Sequence, residues 1–156
     1  MPHRPLALAL ILIAGPTAAQ DRGYPLAPLI ATGTSIVGET IRYPVTGPAK
    51  LTAAIVILAP GASVLPQPNR QVWLGKQATT LLTVVHKHGV SLFAYILDGE
   101  LSVDYGDKGT RTYKKGDAFM EAMELAHFGV NNGAQPVRIL ALYIGAEGAN
   151  NVIPVK

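Results

Sequence analysis

Four histidines occur in this chain of 156 residues, and the spacing of three of them could do chemistry. His86 and His88 are one residue apart, so on an extended strand both rings project from the same face, because successive side chains alternate. His127 can join them only if the chain between folds back on itself. Three neutral imidazoles that converge can hold a divalent ion, iron, zinc, nickel, manganese or copper, and do not choose among them. Ligands on one side of such an ion leave positions for water or substrate, which is the catalytic rather than the closed structural type of site.

The elements that must position these rings read as strands. Residues 91–97 and 100–105 are strand-like and flank Asp98-Gly99, a dipeptide that favours a tight hairpin. Further turn signals at Gly106 to Gly109, Gly116-Asp117 and Asn132-Gly133 separate strand-like runs at 110–113, 118–123 and 137–144. Residues 51–59 form a nearly continuous apolar run closed by Pro60-Gly61, which reads as a buried strand, and residues 79–85 resume strand composition and deliver His86. Recurring turns without a sustained helical period describe an all-β sandwich or barrel.

At these residues the chain resembles the cupins, small barrels that carry two short motifs. The first motif runs Gly, five residues, His-x-His, three or four residues, Glu, six residues, Gly; His86, His88 and Gly99 match it, while Thr80 and Leu92 stand at the first Gly and the Glu. The second runs Gly, five residues, Pro, one, Gly, two, His, three, Asn; Gly116, His127 and Asn131 match, while Ala122 and Glu124 replace the Pro and the second Gly. The resemblance extends over residues 51–148 and implies a double-stranded β-helix, the cupin jelly-roll barrel, in one domain. It also implies His86, His88 and His127 as metal ligands, with Fe2+ the leading ion and Zn2+, Ni2+, Mn2+ or Cu2+ as alternatives. Three-histidine iron sites in such barrels support dioxygen chemistry. Leu92 departs from the motif at the Glu position, and some cupins have lost their metal.

Without the Glu, three neutral ligands leave a divalent ion its full charge, which favours anionic chelating substrates such as carboxylates, enolates or catecholates. Glu121 and Glu124 precede His127 closely, and either could restore a carboxylate or act as a general base if it points inward. The expectation for both is a solvated or rim carboxylate, with Glu121 the better candidate catalytic residue. Tyr95 and Tyr105 read as barrel packing, Asn131 as the organiser of a turn, and Lys87 as facing away from the site.

Around this centre the chain divides into a signal peptide at 1–19, an N-terminal arm at 20–48, the barrel at 49–146 and a loosely packed tail at 147–156. The apolar run at 6–15, followed by Thr17-Ala18-Ala19, has the form of an export signal and is too short to span a bilayer, so the expected location is periplasmic or secreted, with no membrane attachment after cleavage. There is no cysteine, so neither a disulfide nor a lipidated cysteine is available. The formal charge of +3, of which Arg4 leaves with the signal, is too small and too scattered for nucleic acid. Composition, 49% hydrophobic, provides for a real core. The arm, rich in Pro, Gly and Thr, is expected to add one or two edge strands, at 35–37 and 40–42, and by the family resemblance to help form a homodimer. An insertion at about 65–83, with Arg70, Trp73 and Lys76, reads either as a lid over the site or as a tolerated surface loop.

Two functions fit these residues. One is an exported metal-dependent oxidoreductase of dioxygenase type acting on a small anionic compound, with Glu121 as base. The other is a barrel that binds a small ligand or metal without turnover.

Overall fold

Alternating burial along the strands builds two antiparallel sheets that face each other across the core. The computed structural model describes residues 26–44, 47–60, 73–74, 77–78 and 85–155. The larger sheet contains β1 (Ala49–Leu58), β5 (Ser91–Asp98), β8 (Ala118–Met120) and β10 (Val137–Ala146), in the order β1-β10-β5-β8. The smaller contains β6 (Glu100–Asp104), β7 (Thr110–Lys114) and β9 (Phe128–Val130), in the order β7-β6-β9. Two-residue pairs complete the described strands: β2 (Trp73–Leu74) with β3 (Gln77–Ala78), and β4 (His86–Lys87) with β11 (Ile153–Pro154). A 3-10 turn, Gly106–Lys108, links β6 to β7. This is the all-β architecture expected from the turn spacing, and it is consistent with the jelly-roll barrel that the family resemblance implies.

The period of two decides which residues form the core. On β5, Leu92, Ala94 and Ile96 are buried; on β10, Val137, Ile139, Ala141 and Tyr143; on β6, Leu101 and Val103. Each Val, Leu or Ile side chain among these that is taken out of water contributes roughly 1.5–3 kcal/mol before the entropy of ordering it.

Several sequence expectations are corrected. Asp98-Gly99 does not close a hairpin: β5 is already paired on both sides, with β10 and β8, so the chain turns a corner and β6 enters the other sheet. Gly99 has φ of 80°, and a Cβ there would lie 2.9 Å from the Pro136 carbonyl oxygen, so the corner requires glycine. Among the described residues β1 is an edge strand rather than a buried one; Leu51 and Ile55 face out at 64% and 45% exposure while Leu58 closes the core. Its apolar run covers one face only. The strand expected over 118–123 stops at Met120, beyond which the chain bends.

The arm contributes no strand at 35–37 or 40–42, only an isolated bridge between Thr34 and Thr40 that closes a turn against the barrel. The tail is not loose, because β11 pairs with β4 and Val152 packs on the core. Of the insertion expected at about 65–83, only the β2–β3 backbone is described; Arg70 and Lys76, and the signal segment at 1–19, lie outside the described residues.

Candidate metal centre

The three histidines meet where β4 passes the start of β9. His86 N–H donates to the His127 carbonyl and His127 N–H to the His86 carbonyl, both at 3.0 Å, so a reciprocal backbone bridge sets these residues side by side. His88, two residues on, shares the inward face. Ring centroids are 4.6 Å apart for His86 and His127, 4.9 Å for His86 and His88, and 5.1 Å for His88 and His127. One ring nitrogen from each lies within 4.8 Å of the other two, and all three residues are buried. Lys87, between them, is only partly buried, as alternation requires.

The hydrogen bonds around the rings suit them to a metal. His88 Nδ1 stands 2.9 Å from the Asn151 carbonyl oxygen, and His127 Nδ1 stands 2.8 Å from that of Leu125. A carbonyl can only accept, so each Nδ1 carries the proton and each Nε2 presents a lone pair. His127 Nε2 is buried without a hydrogen-bond partner, an arrangement that is costly unless something else uses the lone pair. Burial pushes the pKa of His88 down to about 3 and lowers that of His127, so these imidazoles stay neutral and available as ligands. The donor set therefore fits a divalent ion of the borderline type that imidazole prefers.

Glu121 belongs to the same cavity, contrary to the expectation of a rim carboxylate. It is 6% exposed, and its Oε2 lies 3.9 Å from His127 Nε2. Burying a carboxylate is expensive. Two donors to Oε1 offset the cost: the Tyr105 hydroxyl at 2.6 Å and the Ala122 N–H at 2.8 Å. Burial nonetheless dominates and raises the Glu121 pKa to about 7, the range in which a carboxyl group can both take and release a proton. Glu124, by contrast, is exposed. Tyr105, read from the sequence as packing, is wholly buried, orients Glu121 and contacts the Tyr113 hydroxyl at 3.2 Å. Burial, and then the adjacent Glu121, drive its own pKa upward, so it stays a donor. Tyr95 is partly buried on the outward register of β5.

The cavity these groups line has a volume of about 70 Å³, with room for several waters or a small molecule. Its remaining walls are apolar, among them Leu92, Phe119, Ile139 and Tyr143. Leu92 thus occupies the place of the motif's Glu, and no lysine or arginine lines the cavity among the described residues. Asn131 organises the turn beyond β9 as expected, donating to the Leu58 and Gln135 carbonyls and accepting from Gly133 N–H. Two supports had no sequence signal: Asn151 in the tail, and Glu39 in the arm, whose carboxylate accepts from the backbone N–H groups of Met123, Glu124 and Leu125. Burial works against the Glu39 charge, but these bonds outweigh it and hold its pKa below the usual range.

Comparison with known proteins gives a family match and remote structural similarity. The Cupin domain family model matches residues 76–143. Among solved structures, a Bacillus subtilis oxalate decarboxylase is similar at 19% identity and a TM-score of 0.45, over 67% of this chain and 24% of that one. A polyketide cyclase from Streptomyces resistomycificus is similar at 19% identity and a TM-score of 0.47, over 72% of this chain and 63% of that one. The cupin domain of a transcriptional regulator from Enterobacter cloacae is similar at 24% identity and a TM-score of 0.42, over 62% and 81%. The chain therefore spans less than two thirds of the decarboxylase and of the cyclase. No curated protein matches it.

Proposed function

The chain belongs to the cupin superfamily, and we propose on that premise that it holds a divalent metal ion through His86, His88 and His127 and acts as a dioxygenase-type oxidoreductase on a small anionic substrate. The observation that carries the reading is the inward set of imidazole nitrogens, with Nδ1 of both His88 and His127 tied back to carbonyls and His127 Nε2 buried without a partner. A bound iron(II), the ion we favour, would supply Lewis acidity and reactivity towards dioxygen.

The chain's own groups supply the rest. Because the three ligands are neutral and no lysine or arginine lines the described cavity, an ion held by His86, His88 and His127 would keep its full charge and would supply the attraction for an anionic group. The apolar walls select a compact apolar body attached to that group and keep water out. Glu121 Oε2 faces the same space and would accept a proton from the substrate, while the Tyr105 hydroxyl holds Oε1 in place. Export to the periplasm or beyond is part of the same reading, supported by the apolar run at 6–15 and the small residues Thr17, Ala18 and Ala19. A homodimer is supported by the outward Leu51 and Ile55 on the edge strand.

The test is the metal content of the protein purified without a histidine tag or chelator, beside a His127→Ala control, followed by dioxygen uptake with small carboxylates, enolates and catecholates. Stoichiometric metal lost in the control, with uptake on one of these classes, is the expected result. A parent that stays empty after anaerobic iron and after zinc would overturn the metal reading. The second reading, binding without turnover, is favoured by Leu92 at the carboxylate position of the motif. Metal retention without uptake on any class would select it.

A further inference from the structure

We infer that Glu39, in the N-terminal arm, is a positioning residue for the metal centre, acting through the backbone of residues 123–125; the inference rests on the three-histidine reading above. This arm lies outside the stretch matched by the family model, residues 76–143.

Residues 123–125 are in no strand, and their backbone is divided between two sets of partners. On one side, Met123 N–H donates to Glu39 Oε2 at 2.6 Å, and the N–H groups of Glu124 and Leu125 donate to Oε1 at 2.9 and 3.0 Å. On the other, the Met123 carbonyl accepts from His88 N–H at 3.0 Å, and the Leu125 carbonyl accepts from His127 Nδ1 at 2.8 Å. Three consecutive N–H groups converging on one carboxylate form an anion cradle, and it is the reverse side of that cradle that aims both histidines.

The carboxylate is itself held. The Ser35 hydroxyl donates to Glu39 Oε2 at 3.1 Å, and Ser35 Oγ accepts from Glu39 N–H at 3.1 Å. Ile36 N–H donates to the Met120 carbonyl at 2.8 Å, and Ile36 and Val37 pack against the core. A short turn fixed to the end of β8 therefore delivers Glu39 to the loop. Without the carboxylate, at least one of the three N–H groups loses its acceptor and the others lose its charge, so the segment must find another arrangement, which moves the Leu125 carbonyl away from His127 Nδ1. Groups that orient metal-bound histidines in this way typically contribute 10- to 100-fold in metal affinity.

The experiment is a Co2+ titration of the full chain, read by absorption, for the parent, Glu39→Gln, Glu39→Asp and Val137→Ala. Gln keeps the size but loses the charge and one acceptor; Asp keeps the charge and restores part of the cradle; Val137→Ala loosens the core away from the cavity. The expected result is about tenfold or greater loss of Co2+ affinity with an altered visible spectrum in Glu39→Gln, partial recovery in Glu39→Asp, and parental affinity and spectrum in Val137→Ala despite a lower melting temperature. If Glu39→Gln binds Co2+ as the parent does, or if Val137→Ala loses affinity equally, the positioning role is overturned while the metal centre stands. A parent that binds no Co2+ removes the metal centre and the inference with it. Should Glu39→Gln fail to fold, amide hydrogen exchange of the parent decides: slow exchange at Met123, Glu124 and Leu125, slowed further by Co2+, supports the cradle, and exchange at open-loop rates overturns it.

Discussion

Glu121 Oε2 stands 3.9 Å from His127 Nε2, with both side chains almost sealed from solvent. The contact links the cavity's carboxylate to the imidazole nitrogen that has no hydrogen-bond partner. The burial of Glu121 also makes the metal-free protein sensitive to pH. The Glu121 pKa is raised from 4.5 to about 7 by burial, so its contribution to stability is complete below 4.5 and is lost as pH rises through 7. Glu121→Gln keeps an acceptor for Tyr105 and Ala122 but cannot ionise. In metal-free protein it should raise stability at pH 8 by on the order of 2 kcal/mol and change it little below pH 4.5. Denaturant unfolding at the two pH values measures this; an equal difference at both would refute it.

His88 acts with the opposite sign. Its pKa is lowered from 6.5 to about 3, so the unfolded chain takes up a proton in this interval that the folded chain refuses. Stability attributable to His88 is complete above 6.5 and is lost on acidification towards 3. Metal should add to the neutral-pH stability by mass action, by about 2.7 kcal/mol at a hundred times the dissociation constant. Chelation should accordingly lower the melting temperature by several degrees in the parent and leave His127→Ala unchanged. Scanning calorimetry with and without chelator checks this, and an equal response in the two proteins would count against ligation by His127.

Leu92 is where the family motif would place a carboxylate, and its carbonyl accepts from Glu121 N–H at 2.8 Å, so the two side chains line one cavity, Leu92 from β5 and Glu121 from just past the end of β8. Leu92→Glu would put a second carboxylate there. Like charges that close cannot both ionise without a metal, so the metal-free variant should be less stable than the parent by a few kcal/mol at pH 8 and recover much of that at pH 5. Combining it with Glu121→Gln should relieve the repulsion. Melting curves of both variants test the coupling, and simple additivity would show that the two positions do not share the space.

What was legible in the sequence follows from the range of the interactions. His86 and His88 could be paired because strand alternation acts over two residues, and Asn131 could be assigned to its turn because it bonds to Gly133 and Gln135 nearby. Glu121 could not be oriented, because alternation ends where β8 ends and Glu39 captures the chain. Glu39 reaches that loop from 84 residues away, a separation that leaves no local pattern. Asp98-Gly99 looks the same in a hairpin and at a corner between sheets; only the occupied edges of β5 distinguish them. In the same way, an apolar run does not reveal that β1, among the described residues, has a neighbour on one side only.

The tail supplies the last prediction. His88 keeps its orientation through the Asn151 carbonyl, and the chain bearing Asn151 lies so close to Gly89 that a Cβ there would collide with the Asn150 carbonyl oxygen. The neighbour is backbone, which cannot swing aside as a flexible side chain would. Gly89→Ala should therefore lift residues 150–155, break the pairing of β11 with β4 and remove the acceptor of His88 Nδ1. Metal affinity should fall by about tenfold or more, as expected when a histidine ligand loses its orienting partner. The tail should also become sensitive to limited proteolysis. Titration of the variant beside the parent, with mass analysis of the protease products, examines both consequences. Unchanged affinity with a released tail would show that His88 needs no help from Asn151.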